Sequence, residues 1–300
     1  MLRTLLRRVF SRRRNASTTH PGPGSDGQPE TAPKRVSARQ TRVSAPRGGL
    51  SQVLTIAGKE LTDSWRDRRG VFSAAMYSLM GPVVVSLVSL AIREPGKQGG
   101  SEAVLIAMMS VFTMVSAFVG GMNVASDSIA GERERRSLLP LLMHPVTRLE
   151  LLLGKWLAVT AFSSAGLTVN VLGFALLLKR APSWHIALCL LSLPLLAAAL
   201  EVWVSTVCRA VKEANTYLSM LVFLPMGLGM FMVFSPVAGQ AWWNFLPVAG
   251  QQLQLEAGMR GAELDLLPIV SVTLATAVLA AAALWAAADR LEQDDVVYGD

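Results

Sequence analysis

Six stretches, nearly free of charge, run through this sequence at 71–92, 103–124, 156–178, 184–207, 216–234 and 266–288. Each is close to the roughly 20 residues that a helix needs to cross the hydrocarbon layer of a bilayer. Lipid offers a backbone no hydrogen-bonding partner, so apolar segments of this length must close their bonds internally as helices. The expected fold class is all-α: a polytopic membrane protein with six transmembrane helices. Composition agrees, since 52% of the 300 residues are hydrophobic and only 16% charged, too apolar for an average water-soluble domain.

The formal charge of +7 is concentrated in a tail. Residues 1–50 hold eleven basic side chains against two acidic ones, which leaves the other 250 slightly acidic. Residues 1–49, rich in Arg, Ser, Pro and Gly, read as a disordered basic tail resting on anionic lipid, with no apolar core long enough for a signal peptide. An organellar transit peptide, or a start assigned too far upstream, has the same Arg-rich, acid-poor composition. A six-span permease domain is expected over 50–290 and a short acidic tail over 291–300. Basic charge confined to a tail gives no reason to expect nucleic acid as a partner.

Between the tail and the first span, Leu50, Val53, Leu54, Ala57, Leu61 and Trp65 recur at spacings of three and four. Residues 50–69 are therefore expected to form an amphipathic elbow helix lying in the membrane surface. With that elbow in the cytosol, the connections on its side carry twelve basic residues and those on the other side five. Positive charge favours the inside, which places both termini in the cytoplasm. Trp242, Trp243 and Phe245 suit an interfacial aromatic belt, and residues 246–259 a short helix dipping into the outer leaflet.

The connection between the second and third spans, residues 131–155, reads GERERRSLLPLLMHPVTRLELLLGK. Glu132, Arg133, Glu134, Arg135 and Arg136 put five charges in succession, so the segment must remain in water. Leu138, Leu139, Leu141, Leu142 and Met143, a break at His144-Pro145, and Leu149 to Leu153 then give a helix, a break and a helix with an apolar ridge. Such a ridge suits a partner protein, and it also suits an ordinary loop resting on headgroups.

This run resembles the signature of type-2 ATP-binding-cassette exporter permeases. Ala130, Gly131, Glu132, Arg133, Glu134, Leu138, Leu141, Leu142, Pro145, Val146, Arg148, Glu150, Gly154 and Lys155 stand where that pattern wants them. Arg136-Ser137 occupies the place of its usual Gly-Thr, and Leu139 that of a common Glu. Lys212-Glu213-Ala214-Asn215, and Pro247 to Gln252 followed by Gly261, are similar to segments of the NatB-type sodium-exporter permeases in that group. The resemblance implies a coupling helix in this connector. It implies contact with a separate ATPase subunit through Glu132, Arg133, Glu134, Leu138, Leu141, Leu142, Pro145, Arg148 and Lys155. It further implies a second permease half, identical or paralogous, and residence in the bacterial inner membrane.

Catalytic sets are missing. There is no GxxxxGK[ST] loop, so this chain cannot hydrolyse ATP by that route; ATP and magnesium belong on the partner, and no cofactor is expected here. HExxH, GxSxG and paired glutamates are also absent, and His20, His144 and His185 are scattered. Cys189 and Cys208, nineteen positions apart in one expected helix, cannot bridge each other. Glu201 is the carboxylate that falls well inside a span. It could line a cation path beside Asn170, Ser205 or Thr206, or it could pair with Arg209 near the headgroups. Asn170, Asn123 and Asn215 suit hydrogen bonds between helices. The expected function is the permease subunit of an ABC exporter for sodium or another small molecule. The alternative is a secondary ion-coupled transporter with Glu201 as its cation or proton carrier.

Overall fold

The computed structural model describes residues 49–92, 98–137, 147–179, 184–235, 240–262 and 265–292. Of the expected tails at 1–49 and 291–300, residues 1–48 and 293–300 lie outside these residues, while Gly49 begins the first helix and residues 291–292 end the last. Among the described residues all regular structure is helical, and six helices are long and apolar enough to cross a membrane. The elements are α1 (Gly49–Arg66), α2 (Arg68–Ala91), α3 (Gln98–Ser126), α4 (Arg148–Leu178), α5 (Trp184–Val207), α6 (Val211–Phe234), α7 (Ala249–Met259) and α8 (Leu266–Glu292). Helices α2, α3, α4, α5, α6 and α8 are the six spans.

The helices outrun the apolar runs at one end. α4 starts at Arg148 rather than 156, and α6 at Val211 rather than 216. Hydropathy marks the thickness of the apolar layer, whereas a helix continues into water wherever a cap closes its first turn. Thr147 caps α4 in this way, accepting from Glu150 N while the Glu150 carboxylate accepts from Thr147 N at 2.8 Å. The expected elbow at 50–69 is also cut short. Asp67 breaks it, because its carboxylate accepts from Arg69 N and Gly70 N at 3.2 and 3.1 Å and starts a new helix.

Helices α3 and α5 form the centre. Their apolar windows are 61% and 67% buried, against 22% to 28% in the other four spans. Met114 and Phe118 of α3 pack with Leu193 and Leu196 of α5, all fully enclosed. α3 meets α4 closely enough that a Cβ on Gly120 would lie 3.1 Å from the Ser163 Cα and 3.3 Å from the Gly166 Cα. Side chains absent at this crossing let two backbones touch, the usual device where lipid gives helices no hydrophobic reason to associate. Asn170 of α4 then ties three helices together, donating to Ser78 O of α2 at 3.0 Å and accepting from Thr113 Oγ1 of α3 at 3.2 Å.

α1 packs along α4 rather than standing free. Val53 and Ala57 are buried, while Leu50, Leu54 and Trp65 of the same apolar stripe stay exposed. A Cβ on Gly154 would come within 2.6 Å of Ile56, so the glycine permits the contact. At the opposite end a 3-10 turn, Ala241–Phe245, leads into α7. Trp242 and Trp243 stack there with centroids 4.3 Å apart, but Trp243 is buried and only Trp242 and Phe245 are exposed. Val248 enters α7 at φ 69°, ψ −54° with Ala249 N donating to Pro247 O at 2.9 Å, a γ-turn of the strained hand.

Candidate functional site

The connector leaves α3 through a π-type turn, Asp127–Gly131, and a single helical turn, Glu132–Glu134. A wide turn of this kind leaves N–H groups without their regular acceptors. Ser205 of α5 supplies one, its Oγ accepting from Ile129 N at 3.3 Å and Ala130 N at 3.1 Å. The helical turn then ends in a C-terminal motif: Ser137 N donates to Glu132 O at 2.9 Å and Arg136 N to Arg133 O at 3.0 Å. That motif forces Arg136 into the left-handed region, at φ 56°.

Lys155 is the hub. Although it is 1% exposed, all three of its ammonium hydrogens are used. They go to Glu60 Oε1 of α1 at 2.9 Å, Glu132 Oε1 of the helical turn at 2.8 Å and Ser128 O of the π-type turn at 2.8 Å. A lysine is enclosed here because each hydrogen has an oxygen and two of those oxygens are charged. Removing any one partner would strand charge inside the protein.

The next two residues engage other helix ends. Arg133 donates to Cys208 O at 2.7 Å and Thr206 O at 2.9 Å, satisfying carbonyls that α5 leaves open at its C-terminus. Glu134 accepts from Val211 N at 2.8 Å and so serves the first turn of α6, whose preceding Ala210 has no capping side chain. Across the connector Arg148 donates to Leu291 O of α8 at 2.8 Å. Asp127 and Arg135 form an ion pair at 2.6 Å on the surface, where both side chains are more than half exposed and the pair contributes little.

Glu132, Arg133, Glu134, Arg148 and Lys155 thus gather at one end of the bundle, and every one of them holds a different element. Leu138, Leu141, Leu142 and Pro145 lie outside the described residues. Glu60 was the partner that pattern reading passed over. It continues the buried face of α1 at 53, 57 and 60, and that spacing was the available signal. Cys208, just beyond α5, is a protonated bystander: burial pushes its thiol up to about 11, and the charge of Glu213 adds to the effect.

Glu201 lies elsewhere, on α5 against α3 and α4, and is 1% exposed. Its Oε2 has no hydrogen-bonding partner among the described residues and would lie 2.9 Å from a Cβ on Gly121. Ser163 Oγ, equally without a partner, crowds the same glycine from α4. No ion pair reaches Glu201 among the described residues, and Asn170 bonds to Ser78 and Thr113 rather than to it.

Known proteins match this chain over its bundle. The model of the ABC-2 family transporter protein matches residues 54–285. The ABC transporter permease protein NatB of Bacillus subtilis is 33% identical over 174 residues, 52% of this chain and 45% of that protein. The probable ABC transporter permease protein NosY of Pseudomonas aeruginosa is 30% identical over 131 residues, 40% of this chain and 46% of that protein. The NosY protein of Stutzerimonas stutzeri is 31% identical over 109 residues, 36% and 38% of the two chains. The aligned part therefore spans less than half the length of each of these relatives.

Proposed function

The chain belongs to the ABC-2 family of transporter proteins, and from that premise we propose that it is the membrane subunit of an ATP-driven exporter. A separate ATPase subunit, carrying ATP and magnesium, docks on residues 131–155 from the cytosol, the side on which both termini lie. A second permease half completes the pathway, in the inner membrane of a bacterium. The solute is small, and sodium is the one suggested by the NatB-type resemblance.

The observation that carries this reading is the saturated ammonium of Lys155. A passive loop has no need to root itself in the bundle. Here one buried cation joins α1, the π-type turn, the connector and α4, while Arg133, Glu134 and Arg148 reach α5, α6 and α8. A displacement of the connector therefore cannot remain local, and closure of the ATPase pair shifts the helices whose ends it grips. Leu138, Leu141, Leu142 and Pro145 supply the face that meets the ATPase. Glu201 provides the polar contact of the path, and Asn170 holds α2, α3 and α4 around it.

Reconstitution with the cognate ATPase tests the assignment. Glu134→Ala removes the acceptor at the α6 N-terminus but leaves the Lys155 cluster whole, so ATP turnover should continue while export per ATP falls. Export per ATP equal to that of the parent would remove the connector from the mechanism. Transport that needs no ATPase yet stops with Glu201→Gln would identify an ion-coupled carrier instead.

A further inference from the structure

The hinge between α1 and α2 carries an open cleft of about 650 Å³, lined by Trp65, Arg66, Arg68, Val71, Phe72 and Ala75. Its two aromatic walls are conspicuously bare: Trp65 is 71% exposed and Phe72 68%. Neither arginine side chain has a hydrogen bond or ion pair among the described residues, and no acid lines the cleft. Asp67, which separates the two arginines in sequence, is occupied as the cap of α2, with its two oxygens on Arg69 N and Gly70 N. α2 is a span that begins at Arg68, so the cleft sits where hydrocarbon meets water.

An aromatic ring at that depth is stable with its face on acyl chains and its polar edge among headgroups. Two unneutralised guanidinium groups line the same cleft, and each presents the planar fork that matches phosphate oxygens. We propose that this cleft binds the headgroup of an anionic phospholipid from the leaflet at the connector end, phosphate on Arg66 and Arg68, chains on Trp65 and Phe72. The inference rests on the membrane-spanning fold and not on the ATPase reading. It has a consequence for that reading, because Arg66 lies about 9 Å along α1 from Glu60, and Glu60 is one of the two carboxylates on Lys155. A lipid seated at the hinge steadies the helix that holds the hub.

Spin-labelled lipids in phosphatidylcholine bilayers containing the full chain test it. Labelled phosphatidylglycerol should be preferred over labelled phosphatidylcholine at the protein surface. The paired substitution Arg66→Gln and Arg68→Gln should lower that preference about fivefold per arginine removed, the size of the attraction of one basic side chain to an anionic leaflet. Arg66→Lys with Arg68→Lys keeps the charge but loses the planar fork, so it should retain only part of the preference. An unchanged preference in the glutamine pair overturns the proposal. Displacement of the lipid by inorganic phosphate at matched ionic strength also overturns it, by making the free anion the ligand.

Discussion

The two ends of the bundle solve the same problem with different chemistry. At the connector end the buried polar atoms are tied by full charges: Lys155 to two carboxylates, Arg133 to the last carbonyls of α5, Glu134 to the first N–H of α6. At the opposite end neutral amides and hydroxyls dominate. Gln251 donates to Ser192 Oγ at 2.7 Å and Thr276 Oγ1 at 3.2 Å and accepts from Val248 N at 2.8 Å, which joins α7 to α5 and α8. Gln252 reaches Glu256 at 3.1 Å, and Ser110 of α3 reaches the same carboxylate oxygen at 2.8 Å. Stranding a charge inside the protein costs more than stranding a neutral amide. The connector end is therefore held chiefly by ions, Lys155 above all, and the α7 end by neutral hydrogen bonds.

The largest test of that contrast is Lys155→Met. Methionine fills a similar volume but leaves Glu60 and Glu132 facing each other without a cation, which costs about 3–5 kcal/mol. The thermal unfolding midpoint in detergent should fall accordingly. Replacing all three groups with apolar residues should recover most of the loss, since a buried pair contributes little beyond an apolar replacement of the same volume. A midpoint unchanged by Lys155→Met would mean that the ammonium is not held as described.

Gln251→Leu is the matching change at the other end and should cost about 1–3 kcal/mol, the penalty for leaving neutral buried groups unpaired. Val248 N, held in its γ-turn, would lose its acceptor. The ranking matters more than either value. If Gln251→Leu unfolds the protein earlier than Lys155→Met does, anchorage by neutral groups outweighs the ionic hub and the contrast must be redrawn.

The spans were legible because their signal is a uniform property of about twenty residues, which no tertiary contact can reverse. The grouping of Glu132, Arg133, Glu134, Arg148 and Lys155 was legible only through a family pattern. Nothing in local sequence says that Lys155, inside LLLGKW, meets a glutamate 95 positions earlier. The split of the elbow at Asp67 was missed because its apolar period runs on without a break to Trp65, whereas the break is made by one carboxylate folding back onto two N–H groups. The fate of the apolar stripe of α1 was half visible. Periodicity showed which residues share a face, but α4 covers Val53 and Ala57 and leaves Leu50 and Leu54 open, a choice made by Gly154. Glu201 was flagged by burial of a charge in an apolar run, yet its neighbours Gly121 and Ser163 come from two other helices and no spacing could name them.

The smallest expected effect is a gain, and it sharpens the account of the connector. Arg136 stands where the type-2 permease pattern carries glycine, and the backbone there is left-handed at φ 56°. A side chain in that region crowds its own carbonyl, a strain of about 1–2 kcal/mol that glycine avoids. Glycine gives part of this back through its freer unfolded chain. Arg136→Gly should therefore stabilise the turn by about 1 kcal/mol net. Arg136 is exposed, so no packing is lost with it. Hydrogen exchange at the Ser137 amide, which closes the turn onto Glu132 O, reads the change directly. Exchange about fivefold slower supports a connector that leaves the bundle through a left-handed residue. Faster exchange would show that the backbone at 136 does not need that conformation, and that the glycine of the pattern serves some contact with the partner instead.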